Sequence, residues 1–220
     1  MKQIKLISEV HSILSGYHYN GSFRINSTIG KRVECIKVYI KRLKKDLDRR
    51  EKSEFLNSMD RFLLSKGKDI IKQGEEALEG IKEIDYLGLI RRSMRKNEIC
   101  LGRVDEGNLR KNNEIEIGDI KNLSYNLIEE DIYEYLKKIR RRGSILNEDL
   151  YIEKYTSEEM LQNSSGEYIK LLLEIPYDSL RQWLRYSQGK RNMAPDDYLE
   201  NIEEALKYES KVMKWGDKNE

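Results

Sequence analysis

The chain of 220 residues carries 41 lysines and arginines against 39 aspartates and glutamates, a formal net charge of +2. This near-balance argues against a protein whose whole surface binds nucleic acid. Hydrophobic residues make up 38% of the chain and recur at regular spacing, which argues against a disordered polypeptide. The two prolines favour long helices, because proline interrupts helix interiors. We therefore predict a mainly helical protein.

The apolar residues before the middle of the chain recur at helical spacing. In the segment 31–50, Ile36, Ile40 and Leu43 lie three or four residues apart, and the outer face is basic. Gly67 is a weak point of the helix predicted over 53–82, because glycine is a poor helix former. The full set of predicted helices is 1–15, 31–50, 53–82, 84–96, 129–142, 147–156, 165–175, 177–189 and 195–216.

The middle of the chain has a different pattern. Strict alternation in Glu114-Ile115-Glu116-Ile117 follows a turn signal at Asn112-Asn113, so a hairpin with a strand at Leu109–Lys111 is predicted. Together with a short apolar run at 99–101, it forms a small central β element over 98–120. No repeat or linker divides the sequence, so residues 1–220 are predicted to form a single domain.

The cysteines and the N-terminus bear on cellular location. Cys35 and Cys100 lie far apart and match neither a disulfide framework nor a zinc site, so a reducing compartment is expected. No apolar run approaches the roughly 20 residues of a membrane-spanning helix. Ser8, Glu9 and His11 interrupt the first apolar segment, which favours an amphipathic helix over a signal peptide. We predict a protein that is cytoplasmic at synthesis and has no membrane span.

The charge is unevenly distributed along the chain. Residues 145–220 contain 16 acidic and 10 basic residues, a local charge of −6, so the first 144 residues carry +8. The basic excess lies within 31–50, 91–96 and 137–142. Such clusters occur on the solvated faces of amphipathic helices, which is the commoner case, and on faces that bind phosphate, nucleic acid or acidic proteins.

Three stretches of the sequence resemble a known family. The central stretch ICLGRVDEGNL, continued by IEIGDIKNLSYNLIEEDIYEYLKKIRRR, resembles the middle of the CotS-type spore coat proteins. These belong to the aminoglycoside phosphotransferase and choline kinase-like group, whose pattern there is roughly Cys-His-Gly-Asp-x-x-x-x-Asn and then Ile-Asp-Phe-Asp. The start, LISEVHSILSGYHYNGSFRINSTIGK, and the closing IPYDSLRQWLRYSQGKRNMAPDDYLENIEEAL also resemble that family. The resemblance implies a protein-kinase-like C-terminal lobe without the N-terminal lobe.

The sequence departs from this family at the catalytic positions. The resemblance places the family's histidine on Leu101 and its catalytic aspartate on Arg103. A guanidinium cannot accept a proton at neutral pH, so Arg103 is expected to pair with a carboxylate such as Asp105 or to bind an anion. The resemblance further implies that Asn108 and Asp119 are a vestigial metal pair. It implies ATP and Mg²⁺, but we expect neither to be used, and no catalytic or cofactor-binding residue is predicted.

These departures lead to a functional hypothesis. We predict a kinase-like structural or interaction protein of the bacterial spore coat, which is not an enzyme but a pseudokinase-like remnant. The expected partners are coat proteins, other copies of the chain or a separate N-terminal lobe. One alternative is a small-molecule kinase half that a separate N-terminal lobe completes. Another is binding of an anion or nucleic acid through the basic helix 31–50, although nucleic acid is not the expected partner.

Overall fold

The computed structural model describes residues 1–17, 24–144, 147–189 and 193–209. Within these ranges the protein is mostly helical, as the sequence predicted, and it contains two small sheets where one β element was predicted. No helix of these ranges combines the length and apolar character that a membrane span requires. The predicted last helix ran to residue 216, and its final part lies outside the described residues. The helices are α1 (Lys2–Leu14), α2 (Lys31–Arg50), α3 (Ser58–Glu83), α4 (Tyr86–Lys96), α5 (Glu129–Arg141), α6 (Glu148–Glu158), α7 (Asn163–Glu174), α8 (Tyr177–Ser187) and α9 (Pro195–Glu209).

The strands are short. β3 and β4 form the antiparallel hairpin predicted from the alternating residues, with Leu109 opposite Ile117. In the second sheet β5 lies between β1, to which it is parallel, and β2, to which it is antiparallel. β1 and β5 lie outside the predicted element 98–120, because two-residue strands are too short to show a periodic pattern. The strands are β1 (Asn26–Ser27), β2 (Ile99–Cys100), β3 (Leu109–Lys111), β4 (Ile115–Ile117) and β5 (Ser124–Tyr125).

The chain divides into two compact units. The first comprises Met1–Arg32 and Ile81–Leu172, and the second comprises Val33–Gly80 and Leu173–Glu220. All the strands described above belong to the first unit. The single domain over 1–220 stays a prediction. In each unit the apolar faces of the helices supply the core, which includes Ile7 and Leu136 in the first and Leu63 and Leu180 in the second.

Helix α3 begins at Ser58, five residues after the predicted start at residue 53. The reason is a reciprocal cap at its first turn. The side-chain oxygen of Asn57 accepts the N–H of Asp60 at 2.9 Å, and the Asp60 carboxylate accepts the N–H of Asn57 at 3.1 Å. Phe55 precedes this start and is 88% exposed.

The buried indole of Trp183 organises the second unit. Its Nε1 donates a hydrogen bond to Asp46 at 2.8 Å, and its ring lies against the backbone of α3 at Gly67. A Cβ atom added at residue 67 would lie 2.7 Å from the ring carbon Cη2. Gly67 is therefore a position where the indole approaches the helix backbone, rather than merely a weak point of the helix.

Replacing Gly67 by alanine is expected to lower the free energy of unfolding by about 1–3 kcal/mol, although alanine is the better helix former, because the new methyl group overlaps the Trp183 ring. Urea unfolding would measure the change. Gly166→Ala in α7 is the matched control, since an added Cβ there is no closer than 3.5 Å to another side chain. The control should be neutral or stabilising by less than about 1 kcal/mol. Equal stability of the two variants would contradict this account.

Candidate functional site

The loop between β2 and β3, residues 101–108, is held at its start by a buried carboxylate. Asp131, in the first turn of α5, accepts the backbone N–H groups of Leu101 at 2.8 Å and Gly102 at 2.7 Å. Gly102 has φ +69°, and a Cβ atom there would lie 2.7 Å from the Cβ of Asn122. Only glycine fits this position, since L-residues disfavour positive φ and no space remains for a side chain.

A buried histidine holds Asp131 in turn. His11 of α1 lies 3.0 Å from Asp131 through Nε2 and 2.8 Å from Glu159 through Nδ1. Burial alone would lower the pKa of His11, but the hydrogen bonds to Asp131 and Glu159 outweigh it and raise the pKa to about 9. The imidazole is therefore protonated at neutral pH and donates to both carboxylates. His11 therefore supports the loop through its contact with Asp131.

This imidazolium makes the stability of the fold depend on pH. The pKa of His11 is about 9 in the folded protein and about 6.5 in an unfolded chain, so its contribution is complete below pH 6.5 and is lost as the pH rises to 9. The expected loss in the free energy of unfolding is on the order of 3 kcal/mol. Urea unfolding at pH 6 and pH 9 would measure it. His11→Gln should flatten this dependence, and an equally steep loss in the variant would assign it to other groups.

Asn108 closes the other end of the loop. Its side-chain Nδ2 donates to the carbonyl oxygens of Arg103 at 2.7 Å and Asp119 at 3.0 Å. Its Oδ1 accepts the backbone N–H of Asp119 at 2.7 Å. Asn108 therefore joins the loop to the segment that follows β4, and the structure brings together the two residues that the sequence suggested as a metal pair.

Asp119 presents a partly exposed carboxylate. Its Oδ1 accepts the N–H of Lys121 at 2.9 Å, and the Lys121 ammonium lies 3.8 Å from Oδ2. No cluster of three or more His, Cys, Asp or Glu side chains suited to a metal occurs among the described residues. Mg²⁺ bound to nucleotide phosphates needs few protein oxygens, since the phosphates and waters supply the others. The Asp119 carboxylate, which is 38% exposed, fits this limited requirement, whereas Asn108 is 2% exposed and its amide oxygen already accepts the N–H of Asp119.

Arg103 occupies the position to which the resemblance assigned the catalytic aspartate. Its side chain is 48% exposed, and its Nε lies 3.5 Å from Asp105, as the predicted salt bridge requires. Asp105 is buried and also accepts the Lys138 ammonium at 2.6 Å and the N–H of Gly107 at 3.1 Å. Burial alone would raise the pKa of Asp105, but the bonds from Lys138 and Gly107 and the charge of Arg103 lower it. Asp105 is thus ionised and a weak base.

A cavity of about 180 Å³ lies beside this loop, against α5. The basic cluster 137–142, noted in the sequence, supplies several of the side chains that line it. The lining contains four cationic and two anionic side chains, so a net positive charge faces the cavity. The charged residues of the lining are Arg103, Asp105, Glu134, Lys137, Lys138 and Arg141.

The role of the carboxylates at the start of α5 was not predicted from the sequence. Glu129, Glu130 and Asp131 are all buried. Arg92 contacts Glu129 at 2.7 Å, and the Arg32 guanidinium pairs with Glu130, so each of the three carboxylates faces a different cationic side chain. One signal was available, because Asp131 lies on the apolar stripe of α5, where an isolated carboxylate requires a buried partner.

The sequence suggested, as an alternative function, that the basic helix α2 binds an anion or nucleic acid. Its outer face is not uniformly positive. Arg50 is largely buried and pairs with Asp46 at 2.7 Å and with Asp60. Lys44 pairs with Glu75 at 2.5 Å, and Lys37 pairs with Glu34 at 2.7 Å. Several of its positive charges are therefore locally compensated, and binding of an anion or nucleic acid through α2 stays a prediction.

A helical protein in which a buried aspartate holds a loop, and an asparagine joins it to a following aspartate, has the features of a kinase-like fold. The crystal structure of an aminoglycoside phosphotransferase from Alicyclobacillus acidocaldarius subsp. acidocaldarius DSM 446 matches this chain with a TM-score of 0.74 and 12% sequence identity. The match covers 93% of this chain and 60% of that protein, so this chain spans less than two thirds of that protein's length. No protein-family model and no curated protein matches the sequence. The kinase-like fold is confirmed, whereas the CotS-type resemblance stays a prediction.

The match contradicts the prediction that the chain is not an enzyme, because the matched protein is a phosphotransferase. That prediction relied on the side chains of Leu101 and Arg103 at the catalytic positions. It gave too little weight to the loop itself, which Asp131 and Asn108 hold in place with both ends fixed. A substituted side chain changes the chemistry that a loop can perform, but here it has not removed the structure that positions the loop.

Proposed function

We propose that the protein is the catalytic-loop part of a small-molecule phosphotransferase that uses a metal-bound nucleoside triphosphate. The hydrogen bonds of Asn108 carry this proposal, since they fix the loop and the segment of Asp119 against each other. Phosphoryl transfer depends mainly on positioning and on stabilisation of negative charge, so a rigid loop beside a carboxylate is the main requirement.

In this proposal, residues of the loop and of the segments beside it have separate roles. Asp119 would hold the metal, which, when bound, neutralises phosphate charge, and Asn108 would keep the segment of Asp119 against the loop. Arg103 offers a guanidinium that stabilises negative charge on the transferring phosphoryl group, because cationic side chains at such sites favour the transition state. Arg103 accepts no proton, and Asp105 is engaged by Lys138. Asp131 keeps the start of the loop in place throughout the reaction.

Calorimetric titration of Mg²⁺ and ATP into the intact chain tests this proposal. We expect binding that Asp119→Ala weakens at least about tenfold, since the carboxylate is a metal ligand. Asp149→Ala is the matched control, because Asp149 is an exposed carboxylate of the same unit that pairs only with Lys170 in the contacts described, at 2.7 Å. Loss of binding in both variants, or no binding to the intact chain, would overturn the proposal.

We also propose self-association, as part of the predicted interaction role in the spore coat. Leu87 and Met94 lie two turns apart on α4 and are 61% and 62% exposed. Apolar side chains on one helix face favour association with another protein surface, here a second copy of the chain. Sedimentation should show a concentration-dependent dimer that Leu87→Glu weakens, and a monomer at all concentrations would contradict the proposed self-association.

The spore coat assignment has its own test. A fluorescently tagged protein that never reaches the spore would exclude it.

A further inference from the structure

In the cavity beside Arg103, the cationic side chains of Arg103 and Lys138 share a single carboxylate, that of Asp105. Four cations line the cavity against Asp105 and Glu134. Asp105 is shared among Lys138 at 2.6 Å, Arg103 at 3.5 Å and, from outside the lining, Arg142 at 3.9 Å. Glu134 accepts the Arg32 guanidinium at 2.5 Å, and Arg32 also lies outside the lining. A concave surface with excess positive charge attracts anions and repels cationic ligands such as aminoglycosides.

The chemistry at Arg103 also favours an anionic acceptor substrate over a hydroxyl group. A hydroxyl acceptor loses a proton when it attacks phosphorus, and a nearby base must take that proton. Arg103 cannot accept it. Asp105 is a buried carboxylate whose Oδ1 binds Lys138 and the N–H of Gly107, and whose Oδ2 lies 3.5 Å from Nε of Arg103. A carboxylate or a phosphate monoester has lost its proton by neutral pH, with pKa values of roughly 4 and 6, so it needs no such base.

We propose that the acceptor substrate is such an anion, a carboxylate or phosphate monoester that binds in the cavity beside Arg103. This inference rests on the proposed phosphotransferase function. A lone pair of the acceptor oxygen forms a bond to the terminal phosphorus of the nucleoside triphosphate. The bond from that phosphorus to the bridging oxygen breaks, and its electron pair stays with the nucleoside diphosphate. No proton moves, and the product is an acyl phosphate or a diphosphate.

The cations of the cavity explain how two anions could meet there. Arg103 is at the loop and Lys138 is on α5, so positive charge comes from two elements. Their charges offset the repulsion between the acceptor and the phosphoryl group, which would otherwise oppose the approach of the two anions. A cationic substrate would not need these positive charges to approach the phosphoryl group. It would also find both carboxylates of the lining engaged, Asp105 by Lys138 and Glu134 by Arg32.

Binding of simple probes to the intact chain tests the anion site directly. Calorimetric titrations would use inorganic phosphate, acetate and the aminoglycoside kanamycin. We expect phosphate and acetate to bind and kanamycin not to bind. The double variant R103Q/R141Q should weaken phosphate binding at least about tenfold, because it removes two cavity charges. The matched control R95Q/R110Q removes two exposed arginines outside the lining and should retain the affinity. Equal weakening in both variants, or preference for kanamycin, would overturn the inference.

A turnover assay separates failure of this inference from failure of the proposed function. With ATP and Mg²⁺, acetate should yield acetyl phosphate, which hydroxylamine traps, and glycerol should yield no product. Phosphorylation of glycerol or kanamycin in preference to the anions would overturn the anionic acceptor while supporting a phosphotransferase. Phosphate binding at the cavity without binding of Mg²⁺ and ATP would retain the anion site and reject the transfer step, and with it the proposed function.

Discussion

Replacing Asp131 by alanine is expected to lower the free energy of unfolding by about 3–5 kcal/mol, since the change removes a buried carboxylate that pairs with a buried cation and accepts two backbone N–H groups. The variant leaves the N–H groups of Leu101 and Gly102 without acceptors and deprives the His11 imidazolium of one of its two carboxylates. Urea unfolding at neutral pH would measure the loss. Binding of Mg²⁺ and ATP should also weaken, because Asp131 fixes the loop that Asn108 joins to Asp119.

Two further variants make this result specific. Asp149→Ala removes an exposed carboxylate paired with Lys170, and its cost should stay below about 1 kcal/mol. Asp131→Asn retains one oxygen that can accept from the loop but removes the negative charge facing His11. It should fall between the wild type and Asp131→Ala. A cost for Asp131→Ala no greater than that of the exposed control would show that the buried network contributes little to stability.

Replacing Arg92 by methionine is expected to cost about 3–5 kcal/mol, because it leaves two buried carboxylates without their cation. Arg92 contacts Glu98 at 2.8 Å and Glu129 at 2.7 Å, and its Nη1 donates to Ser165 at 3.0 Å. Methionine keeps most of the apolar stem, so the loss reports the charge rather than the packing. Thermal or urea unfolding would measure it.

Arg95→Met on the same helix is the control for this prediction, since Arg95 is exposed and its replacement should change the free energy of unfolding by less than about 0.5 kcal/mol. The triple variant R92M/E98Q/E129Q removes the cation and both carboxylates together. Neutral amides avoid the buried charges, so the triple variant should be more stable than R92M alone. If it is less stable, the cost of R92M does not come from unpaired carboxylates.

Helices could be predicted where a periodic apolar stripe marks the buried face, as Ile36, Ile40 and Leu43 do in α2. The hairpin could be predicted because strict alternation followed a turn signal. β1 and β5 could not, since a strand of two residues has no period and is defined only by its partners. The start of α3 was misplaced because its cap requires Asn57 and Asp60 to bond each other, which spacing alone does not show.

The site was predictable only in part. The resemblance suggested Asn108 and Asp119 as a pair, and the structure joins them by hydrogen bonds. It also led to the wrong prediction of a protein without enzymatic activity, because one side chain at position 103 was taken to decide the function of the whole loop. The sequence offered one signal for Asp131, its place on the apolar stripe of α5, but not its partners, since these lie about 30 and 120 positions away.

The hydrogen bonds of Asn108 make the loop sensitive to deamidation at this residue. Both protons of its amide nitrogen point at carbonyl oxygens, those of Arg103 and Asp119, so the amide can adopt only one of its two orientations. Aspartate at this position has nearly the same shape but no protons to donate when ionised. Deamidation of Asn108 would therefore place a negative charge against two carbonyl oxygens and release the loop, although it changes a single functional group.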